Sequence, residues 1–136
     1  MVAISFSKSP SFPQMIWNGT KDQTIRPYNA ERYEQIKRIK ELQLYWRQRT
    51  KECYKIADAE LTDIFRIKFD RENMVSILRD DQINDYYIPL TPMEIQELVS
   101  RDGFISFWDL WDALEETYGD IESMEFMVIR WVLKKE

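Results

Sequence analysis

Residues 91–133 read TPMEIQELVSRDGFISFWDLWDALEETYGDIESMEFMVIRWVL, and their order decides the fold class. Thr91-Pro92-Met93-Glu94 is a capping box with proline at the first helical position, and Ile95, Leu98 and Val99 follow at helical spacing. Ser106-Phe107-Trp108-Asp109 is a similar start that uses aspartate. Behind it Phe107, Leu110, Trp111, Leu114 and Tyr118 share one broad helical face, and Gly119 ends the run. Residues 125–133 then form a strand that is apolar on both faces and broken only by Arg130, a pattern that belongs inside a sheet. Two successive helices and a central strand do not fit the regular alternation of a doubly wound sheet. The chain is α+β.

The upstream segments agree. Val2, Ile4 and Phe6 alternate with small or polar residues as a short strand does. Ser9-Pro10-Ser11 starts a helix striped by Phe12, Met15 and Ile16, and Asn18-Gly19 stops it. Residues 23–26 are extended, because Pro27 disfavours a helical Arg26. Residues 29–39 are helical, with Tyr33, Ile36 and Ile39 along one side. Leu42, Leu44 and Trp46 mark a half-buried strand, which places Trp46 in the core. A long strand spans residues 54–69 with Ala57, Ala59, Leu61, Phe65, Ile67 and Phe69 in phase, and Asp63 breaks that phase with a bulge. Met74–Leu78 is a further strand, and the acidic residues 80–85 form a loop. The expected total is about five or six strands with three or four helices.

The 136 residues form a single domain, 1–136, with 44% apolar, 32% charged and 14% aromatic residues. No apolar run approaches the ~20 residues of a membrane helix, and the N-terminus lacks a secretory pattern, so a soluble, cytoplasmic protein is expected. The absence of histidine removes the commonest general base and zinc ligand. Cys53, the sole cysteine, excludes an internal disulfide and a thiolate metal site, so no metal and no cofactor is expected. Any catalysis falls to Lys, Thr, Ser, Tyr, Asp or Glu.

Net charge is −5, unevenly spread. Residues 21–55 hold ten Lys/Arg against five Asp/Glu, and residues 56–136 eight against nineteen. The first half can therefore focus a basic patch on an anion, or its charges can be ordinary solvated faces. Tyr45, Trp46, Arg47 and Arg49 interleave aromatics with cations, a composition that suits base stacking as well as core packing.

Gly19-Thr20-Lys21-Asp22-Gln23-Thr24-Ile25-Arg26 is the segment richest in chemistry. On an extended chain Thr24 and Arg26 point to one face, and Lys21 can fold over it from the turn. A hydroxyl then lies beside two anion anchors. The same residues also suit a plain loop with solvated cations.

This Gly-x-Lys-x-x-Thr-x-Arg pattern resembles the signature of the ASCH (activating signal cointegrator homology) domain family of the PUA-like superfold. The similarity continues through Ile4-Ser5-Phe6, Leu42-x-Leu44-Tyr45, Asp102-Gly103-Phe104 and Phe126-x-Val128-Ile129-x-Trp131. Lys40-Glu41 stands where the family usually has a Gly-Asp turn, and Asp102 where members often carry Glu. The resemblance implies a small PUA-like β-barrel flanked by helices, with a cleft between them. It implies a ligand site at Gly19, Lys21, Thr24 and Arg26, with RNA, a nucleotide or a modified nucleoside as partner. Some small members are amidohydrolases acting on N4-acetylcytidine, which would make Lys21, Thr24 and Asp102 catalytic, and another member is a ribonuclease. A nucleic-acid-binding module, a hydrolase, and a regulatory or scaffold protein with a vestigial cleft all remain open, as does the oligomeric state.

Overall fold

The computed structural model describes residues 1–134. Among the described residues seven strands and four helices alternate irregularly. The strands are β1 (Val2–Phe6), β2 (Gln23–Pro27), β3 (Glu41–Trp46), β4 (Tyr54–Asp70), β5 (Met74–Leu78), β6 (Ile88–Pro89) and β7 (Phe126–Leu133). The helices are α1 (Phe12–Trp17), α2 (Ala30–Ile39), α3 (Pro92–Arg101) and α4 (Phe107–Tyr118), with a single 3₁₀ turn at Ile121–Ser123. The two-residue β6, which pairs Ile88 with Ile77, carries no periodicity in the sequence and was not expected. Among the described residues no helix is long and apolar enough to cross a membrane.

Strand β4 organises the sheet. One of its edges carries β3 antiparallel at the start and β5 antiparallel at the end, while β7 runs antiparallel along the other. Beyond β3 lies β1, parallel to it, and beyond β7 lies β2, antiparallel. β7 is thus flanked on both edges, as its two-sided apolar pattern requires. Phe126 and Val128 join the core beneath α3 and α4 with Phe65, Ile67 and Phe69. Met127, Ile129 and Trp131 join the opposite core with Val2, Ile4, Leu42, Leu44 and Tyr33.

Two irregularities bend β4. Its pairing with β7 shifts between Leu61 and Asp63, so the expected bulge is present. Its pairing with β3 also shifts where Leu44 opposes Ala57 and Tyr45 opposes Lys55. The extra residue there, Ile56, is buried, so the inward phase begins one residue earlier than the alternation from Ala57 suggests.

The closed barrel was expected and the sheet is open. Among the described residues β1 and β2 exchange no backbone ladder. Two arginines occupy the seam instead: Arg26 Nη2 donates to Ser5 O at 2.7 Å and Arg32 Nη2 donates to Ala3 O at 2.6 Å. These are alternate carbonyls of β1, on the edge away from β3. Long side chains thereby satisfy acceptors that a neighbouring strand would otherwise serve.

The helix starts follow the sequence closely. Asn29 caps α2 through Arg32 N, and Ser106 caps α4 through Asp109 N. Thr91 Oγ1 accepts from Glu94 N while Glu94 Oε1 accepts from Thr91 N, a complete capping box at α3. Asp102 closes the other end of α3, where its N–H donates to Leu98 O. Thr91→Ala should lower the unfolding free energy by about 1 kcal/mol, read by urea denaturation with an unchanged slope.

Candidate functional site

The segment from Gly19 to Arg26 reaches the molecule's interior in three steps. Gly19, at φ +83, turns the chain after α1. Lys21 N then donates to Met15 O at 3.0 Å, which draws the next residues back under the helix. Finally β2 pairs with β7, setting Gln23 opposite Arg130 and Thr24 opposite Ile129. Thr24 and Arg26 point to one side, as their spacing requires, and Arg26 Nε donates to Thr24 Oγ1 at 2.9 Å.

That side opens on a cleft of about 200 Å³. β1 and the residues after it contribute Ser5, Phe6 and Lys8, α1 contributes Phe12, and the turn after α3 contributes Asp102 and Phe104. α4 contributes Ala113, Leu114, Thr117 and Tyr118. Lys21, Thr24, Arg26 and Asp102 therefore line one site. Gly19 does not. It lies in the turn with open space where a side chain would stand, and its part is to aim Lys21.

Lys21 is only 2% exposed. Its Nζ donates to Asp102 O at 2.7 Å and lies 3.7 Å from Asp102 Oδ2. The Phe12 ring supports the ammonium from 4.5 Å. Burial is the main influence on this amine and lowers its pKa from the ordinary lysine value. The Asp102 carboxylate opposes that shift, and the Arg26 charge adds to it.

Arg26 is held by Thr24 and Ser5 and lies 5.1 Å from the Phe6 ring centre. Burial disfavours its charge as well, yet a guanidinium stays protonated across the working pH range. Among the described residues it forms no ion pair, so its charge remains available to the cleft. Lys21 and Arg26 outweigh Asp102, and the site is net positive within an acidic chain.

Asp102 is buried at 6% exposure and is bound on two sides. Its Oδ1 accepts from Gln23 Nε2 at 3.1 Å, and the same amide donates to Leu98 O at 2.9 Å. Gln23 Oε1 accepts from Arg130 Nε at 2.9 Å. Nearby, Arg101 grips both carboxylate oxygens of Asp22, at 2.9 and 3.0 Å. Sequence reasoning passed over Gln23, Arg101 and Arg130. Gln23 lies within the motif but reads as an ordinary strand residue, and its partners stand 75 to 107 residues away.

Gly103, at φ +92, completes the turn, and a Cβ there would come within 2.8 Å of Met15 Cε and 3.7 Å of Lys21 Cδ. Glycine thus lets the α3 terminus approach α1 and lay the Asp102 carbonyl on the ammonium. As it stands, the Thr24 hydroxyl accepts from Arg26 and the Lys21 amine is engaged with Asp102. The pair makes no direct hydrogen bond among the described residues. The arrangement presents donors to an electron-rich group, and nucleophilic attack by Thr24 would require a neutral Lys21 amine with its lone pair turned to the Thr24 hydroxyl. Trp46 and Trp111 are core residues at 8% and 2% exposure. No three His, Cys, Asp or Glu side chains converge as a metal site among the described residues.

The lowered Lys21 pKa has a consequence for stability. Between that pKa and 10.5 the unfolded chain binds more protons than the folded one, so this residue's contribution grows as pH rises through the window. The wild-type unfolding free energy, less that of Lys21→Met, should rise from neutral pH towards pH 10.5 in chemical denaturation. A flat difference would mean an unshifted lysine. Comparison with protein-family models, curated proteins and solved structures finds no match.

Proposed function

We propose that the chain is an ASCH-type domain of PUA-like build, with its barrel left open at the β1–β2 seam. It binds one base of an RNA, a nucleotide or a modified nucleoside, in the cytoplasm. The observation that carries this reading is the convergence of Lys21, Thr24, Arg26 and Asp102 on one cleft with aromatic walls. A cavity of ~150 Å³ accommodates a benzene ring, so about 200 Å³ suits one substituted heteroaromatic ring. The Arg26 guanidinium, without an ion pair among the described residues, and the Lys21 ammonium suit carbonyl or phosphate oxygens, and Phe6, Phe12 and Phe104 suit a ring face. A net charge of −5 argues against a long RNA tract and favours a single inserted unit.

A second reading, the amidohydrolase, is favoured by one observation: a buried lysine with a lowered pKa shares the cleft with Thr24. In that reaction neutral Lys21 takes the hydroxyl proton as Thr24 Oγ1 bonds to the amide carbonyl carbon. Arg26 receives the developing oxyanion, and Lys21 returns the proton to the leaving amine. Water then hydrolyses the acyl-threonine, and Asp102 holds the lysine between steps.

Titration calorimetry with mononucleotides and N4-acetylcytidine, alongside a hydrolysis assay on the latter, separates the readings. Arg26→Ala should weaken binding by about 1.5–3 kcal/mol, the range of a charge-assisted contact. Thr24→Val should leave binding largely intact, and if turnover exists it should abolish it. Full hydrolysis by Thr24→Val would remove Thr24 as nucleophile. No binding of any nucleoside or nucleotide by the wild type would overturn the reading altogether.

A further inference from the structure

We propose that the β3–β4 hairpin is a second contact surface, which binds the phosphates and one base of a short single-stranded nucleic acid beside the cleft. The inference rests on the nucleobase reading of the cleft and extends it to the neighbouring units of the strand.

Residues 47–55 hold Arg47, Arg49, Lys51 and Lys55 against a single acid, Glu52, in a chain whose net charge is −5. Arg47 pairs with Glu52, and Lys55 pairs with Asp58. Arg49 and Lys51 are exposed and form no ion pair among the described residues. The loop is held in shape before any ligand arrives. Thr50 Oγ1 donates to Arg47 O at 2.7 Å and accepts from Glu52 N at 3.2 Å. Two free cations on an ordered loop are a fixed charge pattern to which phosphates can pair without first ordering the protein.

An aromatic platform stands beside these cations. Trp46 packs in the core, as the strand alternation expects, at 8% exposure. Tyr54 and Trp17 stand outside, at 43% and 49% exposure. Their rings stack with centroids 6.4 Å apart and planes 25° from parallel. A hydrogen bond of 2.7 Å from Trp17 Nε1 to Ile56 O fixes the indole. Cations next to a rigid, half-exposed aromatic pair are the combination that holds single strands without regard to sequence.

Ser5 joins the two surfaces. Gln48 N, in the hairpin, donates to Ser5 Oγ at 3.0 Å, and Arg26 Nη2 in the cleft donates to Ser5 O at 2.7 Å. Lys8, exposed and also lining the cleft, adds a cation at the cleft's margin. A base in the cleft therefore leaves its neighbours facing Lys8 and the hairpin. The hairpin is tied through Ser5 to a cleft sized for one ring, which favours a nucleic acid strand over an anionic membrane.

The test is fluorescence anisotropy with labelled RNA and DNA hexanucleotides of one sequence at several salt concentrations, beside vesicles containing phosphatidylserine. Arg49→Gln/Lys51→Gln should weaken hexanucleotide binding tenfold or more at low salt. It should also flatten the slope of log K against log salt by about 1.4, the share of two phosphate contacts on a single strand. Tyr54→Leu should weaken binding about fivefold or more with the slope unchanged, the share of one stacked base. Both variants should bind mononucleotide as the wild type does. Stronger binding of one hexanucleotide would identify RNA or DNA as the source of the strand. Binding that depends on the hairpin but not on Arg26 supports the hairpin surface and removes the cleft reading. Binding that depends on Arg26 but not on the hairpin overturns this proposal and leaves the cleft reading standing. Wild-type protein that binds vesicles through the hairpin and no hexanucleotide overturns it too.

Discussion

A lysine ammonium almost wholly removed from water is the constraint around which this molecule is arranged. Moving such a charge out of water costs several kcal/mol unless hydrogen bonds and an opposite charge offset it. Here the Asp102 carbonyl and carboxylate do so, and they arrive from the far end of α3, 81 residues along the chain. Asp102 reaches Lys21 through the tight turn at Gly103 and the close approach of the α3 terminus to Met15 of α1. Gln23 extends the link by bonding Asp102, Leu98 and Arg130 together. Three separate parts of the chain are thereby locked around one charge.

The open seam serves the same region. A β1–β2 ladder would place backbone where the Arg26 guanidinium now lies, and Ser5 O would accept from an amide instead. With the seam left to side chains, Arg26 bonds Ser5 and Thr24 and still faces the cleft with an unpaired charge among the described residues. Arg32 performs the equivalent service one carbonyl pair along β1 without reaching the cleft. Openness of the sheet and availability of the cation are two aspects of one arrangement. Ser5 also accepts from the hairpin, so a small residue on a short strand stands between both basic surfaces.

Much of the scaffold was legible because its signals are local. Caps at Thr91 and Ser106, the glycine stop at Gly119 and the phase break at Asp63 each act within a few residues, and each appears where the pattern placed it, while Asn29, read as the first helical residue, is the cap of α2. The bulge at Ile56 was not legible, since it depends on how β3 and β4 slide past each other. The two-residue β6 is too short to carry a period. The placement of Thr24 and Arg26 on one face follows from strand geometry alone, whereas Gly19 proved to direct the turn rather than to line the cleft.

The sequence by itself determined the α+β class, the helix boundaries, the central place of β7 and the chemical inventory of the Lys21–Arg26 segment. These depend on side-chain periodicity, backbone preference and capping, which neighbours along the chain decide. Only the tertiary structure decided that the sheet stays open, that Trp17 and Tyr54 stack on the outer face, and that Gln23 and Arg130 support Asp102. It also decided the charge state towards which Lys21 is pushed, because burial and the Arg26 charge act through space. Contacts between residues 75 to 107 positions apart leave no mark on local pattern, and the long side chains that make them point wherever packing allows.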